Sequence, residues 1–381
     1  MRRLVLLCSA IVLVDTLFYS VVAPLLPHYR DELGVSEAAA GILAAAYPAG
    51  TFIGSIPGGL VAARFGARPT VLAALAGMAV SSLVFGFAQN IVLLDIARFV
   101  QGFAGAFTWA GALTWLIGAA PPERRGELIG TALAAATAGS LIGPVAGSVA
   151  EAIGPEIVFS SVVVIAGVLA TWALATPAPP RAAAPQALGV ILRAAARPAV
   201  LSAGWLVALP AAAFAAMAVV GALRLDDLGA SSVVVGATFL AGAVIEAAIS
   251  PTIGRWSDRR GRFVPIRAGL LSAAVALILF TLPQQIALLS ISMVVVAVTL
   301  VFFWGPAIAL LADATEAAGL HLAIGFAFVN LTWAVGQVIG SAAGGALADH
   351  AGDAVAPLLL AALALLTLAA FARVRRPATV R

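Results

Sequence analysis

The chain has 381 residues, 62% hydrophobic and only 10% charged, with a net charge of +4. Ordinary globular chains are roughly 45–50% apolar, so a soluble fold is excluded and an integral membrane protein is expected. All 21 basic residues are arginines, set in small groups between apolar runs, and no basic face for nucleic acid results.

Cys8 stands alone and the histidines, His28, His321 and His350, are scattered, so neither an internal disulfide nor a metal-ligand spacing is available. Arg2-Arg3 precede an apolar run from Leu4 to about Pro27. The run is too long for a signal-peptide core, carries Asp15 at its centre and lacks a small-residue cleavage site, which makes it a retained first span. A membrane crossing takes about 20 apolar residues. Twelve segments qualify: 4–27, 37–62, 69–88, 91–118, 127–151, 156–176, 199–223, 232–253, 264–283, 285–311, 322–347 and 354–373. Loops between them are short except for residues 177–198, rich in Pro, Ala and Arg, which read as a linker between a six-span half at 1–176 and another at 199–381. The expected fold class is therefore all-α integral membrane, with twelve transmembrane helices in two pseudo-symmetric halves.

Arginine placement sets the orientation, because cytoplasmic loops carry the excess of positive charge. With the N-terminus in the cytoplasm, 18 of the 21 arginines fall on the cytoplasmic side, as does the C-terminus. The exceptions are Arg30 and Arg224, on the outside, and Arg98, within span 4. A wrong span count would scramble this segregation.

Two internal repeats support the halves. The charged turn Gly254-Arg255-Trp256-Ser257-Asp258-Arg259-Arg260-Gly261-Arg262 has a worn copy at 59–68, where Gly59, Arg64 and Gly66 fall in register with Gly254, Arg259 and Gly261. Gly139, Gly143 and Gly147 in span 5 are matched by Gly336, Gly340 and Gly344 in span 11. Small residues every fourth position open a groove on one helix face, where another backbone can approach closely.

The turn at 254–262 resembles the signature loop of the major facilitator superfamily, Gly-x-x-x-Asp-Arg-x-Gly-Arg, and it stands between spans 8 and 9, with its copy between spans 2 and 3, as in that family. Span 5, with Gly130, Gly139, Gly143-Pro144 and Gly147-Ser148, is similar to the antiporter motif of drug:proton exporters, with Ser148 in place of the usual last glycine. Arg98-Phe99-Val100-Gln101-Gly102 in span 4 resembles the family's Arg-x-x-Gln-Gly motif, associated with proton transfer. Span 1, from Asp15 through Pro24 to Pro27, looks like the first span of twelve-span drug exporters and of vesicular amine transporters. There are departures. Ala63 replaces the acid of the first signature loop, and Val301 and Asn330 stand where the amine transporters carry acids. The resemblance implies alternating access by a monomer, with spans 1, 4, 7 and 10 around a central cavity.

Ionisable groups deep in a bilayer cost about 2.5–3.5 kcal/mol on insertion scales, so each asks for a function or a partner. Asp15 lies about eleven residues, roughly 16 Å, in from Leu4. A carboxyl there can exchange a proton for a cationic substrate, or it can serve as a structural hydrogen-bond acceptor. Glu246, midway along span 8, is either a second proton or substrate site or a partner for a basic or amide group across the interface. Arg98 either pairs locally with Asp95, one turn away, or responds to the charge on Asp15; an anion site is a further alternative. On the resemblance, Asp15, Tyr19, Trp109, Trp205, Phe214 and Trp304 are candidate substrate contacts, with Asn330 and Gln337 adding hydrogen bonds. Aromatics beside a carboxylate suit lipophilic cations.

Gly139, Gly143, Pro144 and Gly147 are expected to let span 5 pack on span 8 of the other half and rock against it. Asp258, holding Arg259 or Arg262, is expected to form a cytoplasmic latch. No Gly-x-x-x-x-Gly-Lys exists for ATP, and no nucleophile–base or metal set indicates an enzyme, so no cofactor is expected. The expected activity is proton-coupled export of small lipophilic compounds, cationic or neutral, across the inner (plasma) membrane. The alternatives are transport of a metabolite such as a sugar or amino acid, or a non-transporting sensor or assembly protein of the same fold. Partners are the small-molecule substrate, protons and the bilayer.

Overall fold

The computed structural model describes residues 1–120, 125–177, 188–320 and 322–373. Arg124, and residues 178–187 of the predicted linker with Arg181, lie outside the described residues. In chain order the helices are α1 (Arg2–Ser20), α2 (Leu26–Leu33), α3 (Glu37–Phe65), α4 (Ala67–Gly86), α5 (Ile91–Ala119), α6 (Arg125–Ile153), α7 (Pro155–Ala175), α8 (Leu188–Ala195), α9 (Pro198–Asp227), α10 (Ser232–Arg260), α11 (Phe263–Phe280), α12 (Ile286–Ala317), α13 (Leu322–Ala351) and α14 (Val355–Arg373). No strand occurs among the described residues. Among the described residues, eleven segments are long and apolar enough to cross a membrane, and Val355–Phe371 is a shorter apolar helix that makes the twelfth. Helices suit this setting because each satisfies its own backbone groups, which lipid cannot.

Two differences from the predicted spans have local causes. The first apolar run is not one helix: α1 stops at Ser20, a 3-10 turn occupies Ala23–Leu25, and α2 follows. Pro24 and Pro27 lack the N–H groups that would continue the α1 ladder. Within the predicted linker, Leu188–Ala195 forms the short helix α8.

The repeated charged turn has a conformational reason. Gly66 ends α3 with φ +95°, and Gly261 ends α10 with φ +82°. A side chain rarely tolerates that backbone, so both copies keep glycine. Two helices, α3 and α5, begin on side-chain caps: Ser36 Oγ accepts from the Ala39 N–H, and Asn90 Oδ1 from that of Leu93.

Two apolar cores form. One joins α1–α7, with Val219 and Leu223 of α9 added; the other joins α9–α14. Large apolar side chains such as Val80, Val164, Val168 and Leu366 point outward and remain exposed, as a lipid-facing surface requires. Between helices in lipid, close packing replaces the hydrophobic drive. The glycine grooves show how. On α6, Gly139 faces the Leu13 carbonyl and Thr16, Gly143 faces Leu17 and Ser20, and Gly147 faces Val21 and Pro24. On α13, Gly336, Gly340 and Gly344 face Ala208, Ala212 and Ala216 of α9. A Cβ on Gly143 would come within 2.5 Å of the Ser20 Cβ.

This corrects the predicted role of the α6 glycines. Their groove holds α1 of the same core and does not form the sliding face against α10. The α6–α10 contact runs through Ser148, which donates to the Ser232 carbonyl at 3.0 Å, and through Gly236, which lies against Pro144 and Ser148. Three further contacts cross between the cores. Gly41 of α3 meets α13, where a Cβ would lie 2.6 Å from the Ser341 oxygen and 3.0 Å from the Gly345 Cα. Arg30 of α2 donates to Asp226 at 2.6 Å and to Asp227 at 2.9 Å, at the end of α9. Tyr19 donates to Gln337 Oε1 at 2.9 Å. The Arg30, Gly41 and Ser148 contacts belong to the ends of the bundle remote from Arg2, so the cores are joined on that face.

Candidate functional site

Between the cores lies a cavity of about 520 Å³. Its walls bring together most of the ionisable and aromatic residues singled out in the sequence: Asp15 and Tyr19 from α1, Arg98 and Trp109 from α5, Phe214 from α9, Glu246 from α10, Trp304 from α12, and Asn330 and Gln337 from α13. Trp205 does not belong there. Its indole donates to Thr367 Oγ1 at 3.0 Å on α14 and the residue is 42% exposed, so it faces outward from the second core. Residues on one helix a few turns apart can face opposite ways, and helix identity alone did not fix which way Trp205 turned.

Asp15 is 2% exposed and sits at the centre of the polar wall. The Tyr47 hydroxyl of α3 donates to its Oδ1 at 3.1 Å. Trp109 also reaches the carboxyl. Space for this arrangement comes from Gly105, where a Cβ would lie 2.5 Å from the Tyr47 hydroxyl and 2.9 Å from Asp15 Oδ1. The Tyr47 ring packs on Tyr19 at 5.0 Å between centroids, and Tyr19 packs edge-on to Trp333 at 5.4 Å.

Arg98 is 1% exposed and points away from Asp95. It donates to the carbonyls of Phe18 at 2.9 Å and Tyr19 at 3.0 Å, and to Gln101 Oε1 at 2.6 Å. Gln101 in turn donates to Ser82 at 2.9 Å. Phe18 and Tyr19 form the last turn of α1, whose carbonyls lack intrahelical partners. Arg98 therefore caps the helix that carries Asp15, and a cation at a helix C-terminus is favoured. Its guanidinium also lies over the Tyr47 ring, 4.9 Å from the centroid. The local Asp95–Arg98 pair does not form: Asp95 Oδ1 is buried and accepts no hydrogen bond.

Glu246 lines the opposite wall, and its carboxylate pairs with no described residue. Phe214 and Trp304 meet edge-on at 6.4 Å along the same wall. The cavity thus holds one hydrogen-bonded carboxyl, one unpaired carboxyl and several aromatic faces. It can accept a proton, and it can hold a cation against aromatic rings.

The predicted Asp258 latch is not formed among the described residues in this conformation. Asp258 and Arg259 are exposed, and no described residue pairs with Asp258. Arg262 pairs instead with Asp313 of α12, at 2.8 Å to Oδ2 and 3.0 Å to Oδ1. The i,i+4 spacing from Asp258 to Arg262 crosses the end of α10 at Gly261, so helical neighbourhood does not apply there.

Two contributors were missed in the sequence. Trp333 could have been found, because Asn330, Trp333 and Gln337 share one helix face. Tyr47 lies on α3, outside the four helices that the family resemblance places around the cavity, and its only local signals were that it is one of three tyrosines and precedes Pro48.

The chain matches the family model described as Major Facilitator Superfamily over residues 8–225 and 211–381. It is 30% identical over 140 residues to the MFS-type transporter ppzB of Metarhizium rileyi, an alignment covering 35% of this chain and 29% of that protein. It is 29% identical over 131 residues to Multidrug resistance protein 1 of Bacillus subtilis, covering 34% of each chain. The alignments thus span about a third of the length of these curated relatives. Among solved structures, a bacterial homologue of the human lysosomal transporter Spinster, in an inward-facing and unoccupied conformation, superposes with a TM-score of 0.79 at 15% identity, covering 96% of this chain and 95% of that one.

Proposed function

The chain belongs to the major facilitator superfamily of membrane transporters, which are not enzymes, and on that premise we propose that it is a proton-coupled antiporter exporting small lipophilic cations or neutral compounds. The observation that carries this reading is Asp15, a buried carboxyl on the cavity wall with a hydroxyl donor on one side and aromatic faces on the other. A proton and a cationic substrate compete for it. When Asp15 is neutral its hold on a cation is lost, and the substrate leaves. When the substrate occupies the site, the proton leaves. That exclusion is sufficient to make the two flows opposite. Glu246 supplies a second carboxylate with no competing partner among the described residues. The naming of a curated relative as a multidrug resistance protein supports a lipophilic substrate.

Two bodies, 1–176 and 199–381, rock about this midplane site, with 177–198 as the connecting linker. The arginine distribution supports termini in the cytoplasm and a plasma-membrane location. The joined face, with Arg30, is then the outer one, so the monomer in this reading is closed outward.

The test uses purified protein in lipid vesicles with a transmembrane pH gradient and tetraphenylphosphonium as the probe. Addition of the probe should move protons, read with a trapped pH dye, and Asp15→Asn should abolish this while probe binding persists in part. Proton movement on adding sugars or amino acids, with none for a panel of lipophilic cations, would favour metabolite transport. Asp15→Asn transporting normally against a gradient would make Asp15 structural and refute the mechanism.

A further inference from the structure

We infer that Tyr47 is the positioning residue that links the charge on Asp15 to the contact between the two cores; this deepens, and rests on, the proton-coupled reading above. The argument is geometric. Tyr47 makes three contacts at once: its hydroxyl donates to Asp15 at 3.1 Å, its ring lies under the Arg98 guanidinium at 4.9 Å, and the same ring packs on Tyr19 at 5.0 Å. Tyr19 then reaches across to Gln337 of the other core at 2.9 Å. Two packed aromatic rings, those of Tyr47 and Tyr19, therefore link the proton-binding carboxyl to a hydrogen bond that joins the cores.

The place is built for it. Gly102 and Gly105 of α5 bracket Tyr47. A Cβ on Gly102 would run into the Tyr47 carbonyl, and one on Gly105 would lie 2.5 Å from its hydroxyl. Tyr47 is 4% exposed, so it is wedged and cannot swing freely into the cavity. Pro48, the next residue, leaves a gap in the α3 ladder at this level, where the backbone is more easily bent.

The coupling follows from hydrogen-bond chemistry. To an ionised Asp15, the Tyr47 O–H makes a charge-assisted bond, about twice as strong as a neutral one. Once Asp15 takes a proton, that advantage disappears, and one of the two groups must turn its hydrogen elsewhere. The Tyr47 ring is then held less tightly, while Arg98 and Tyr19 still press on it. A small shift of the ring moves Tyr19 and weakens its bond to Gln337. The groups facing Asp15 are Tyr47 from α3, Arg98 and Trp109 from α5 and Tyr19 from α1, with Glu246 across the cavity on α10; α6 presents Gly139 and Gly143 to α1. Arg98 is the one fixed charge among those neighbours on its own side, and it is tied to the Phe18 and Tyr19 carbonyls, so the mobile element is Tyr47.

The experiment compares wild type, Tyr47→Phe, Gly105→Ala, the double variant and Asp15→Asn, each as the full chain in lipid vesicles. Infrared difference spectra between acid and alkaline buffer report the carboxyl band lost in Asp15→Asn, without any substrate. Tyr47→Phe keeps the ring and removes the hydroxyl. It should displace the frequency of that band and its titration midpoint, the latter by at least about half a pH unit. Proton-driven uptake of tetraphenylphosphonium should fall about tenfold with probe affinity changed less than about threefold, the loss expected for one hydrogen bond to a charged group. Gly105→Ala, which keeps Tyr47 but pushes its hydroxyl off Asp15, should reproduce both effects. It should add little in the Tyr47→Phe background. An unchanged band and unchanged uptake in Tyr47→Phe, or full additivity with Gly105→Ala, overturns the role of Tyr47 while leaving the antiport reading intact. If Asp15→Asn itself retains the band and coupled uptake, the antiport reading falls and this inference with it. Should Tyr47→Phe fail to fold, Gly105→Ala alone decides.

Discussion

Arg30 offers the sharpest test of how the joined face is held. Its guanidinium spans two carboxylates of the other core, at 2.6 Å to Asp226 and 2.9 Å to Asp227, with side-chain exposures of 15%, 26% and 48% respectively. A hydrogen bond to a charged group contributes about 1.5–3 kcal/mol when well shielded, and an exposed pair only about 0.2–1 kcal/mol. The Asp226 contact belongs toward the first range and the Asp227 contact to the second, so about 2 kcal/mol is a fair figure for the two. Arg30→Gln removes that contribution from the closed face and leaves two carboxylates unneutralised there. A 2 kcal/mol change moves a two-state equilibrium about thirtyfold. The assay is a distance distribution between spin labels at Glu32→Cys and Ser231→Cys in a Cys8→Ser background, measured in lipid at low and high salt. Wild type should be dominated by the short distance, and Arg30→Gln should populate a longer one. Raising the salt should move wild type partway toward the variant, because partly exposed pairs are screened. Identical distributions in both proteins, with no response to salt, would refute the claim that this ion pair holds the face closed.

Three further outcomes follow from the packing. Gly143→Leu forces a side chain into Ser20 and Leu17 and should cost about 1–3 kcal/mol, seen as a lower thermal midpoint of the purified protein, whereas Gly130→Leu, with open space around it, should not. Trp304→Ala, on the cavity wall, should weaken binding of an aromatic cation by about tenfold, and Trp205→Ala should leave binding within about twofold by equilibrium dialysis. Asp313→Asn, which removes the partner of Arg262, should lower stability by less than about 1 kcal/mol because the pair is exposed, and Asp258→Asn should leave the thermal midpoint unchanged in the outward-closed state.

The three arginines that broke the charge pattern show where sequence reasoning stopped. Arg30, Arg98 and Arg224 read as exceptions to an orientation rule. In the structure each satisfies carbonyls or acids far away in the chain. Arg224 donates to the carbonyls of Phe280, Thr281 and Pro283 at the end of α11, as Arg98 does at the end of α1, and Arg30 bridges the cores. The rule marked them as unusual without naming their partners, because those partners are mostly backbone oxygens or residues about 200 positions away. The glycine grooves were legible as grooves, and their occupants were not.

What the sequence determined by itself was the set of spans, their helical form and the family. Each span closes its own hydrogen bonds in a solvent that offers none, so length and hydropathy suffice for it, and glycine at positive φ is dictated within the turns of Gly66 and Gly261. Tertiary structure decided the lateral relations: α1 in the α6 groove, Arg262 on Asp313, Trp205 turned outward, and Tyr47 set between Asp15 and Arg98. In lipid, helices associate through close packing and hydrogen bonds between particular faces. Hydropathy is nearly uniform around these helices, so it cannot say which face meets which neighbour, and that choice is where the candidate site is made.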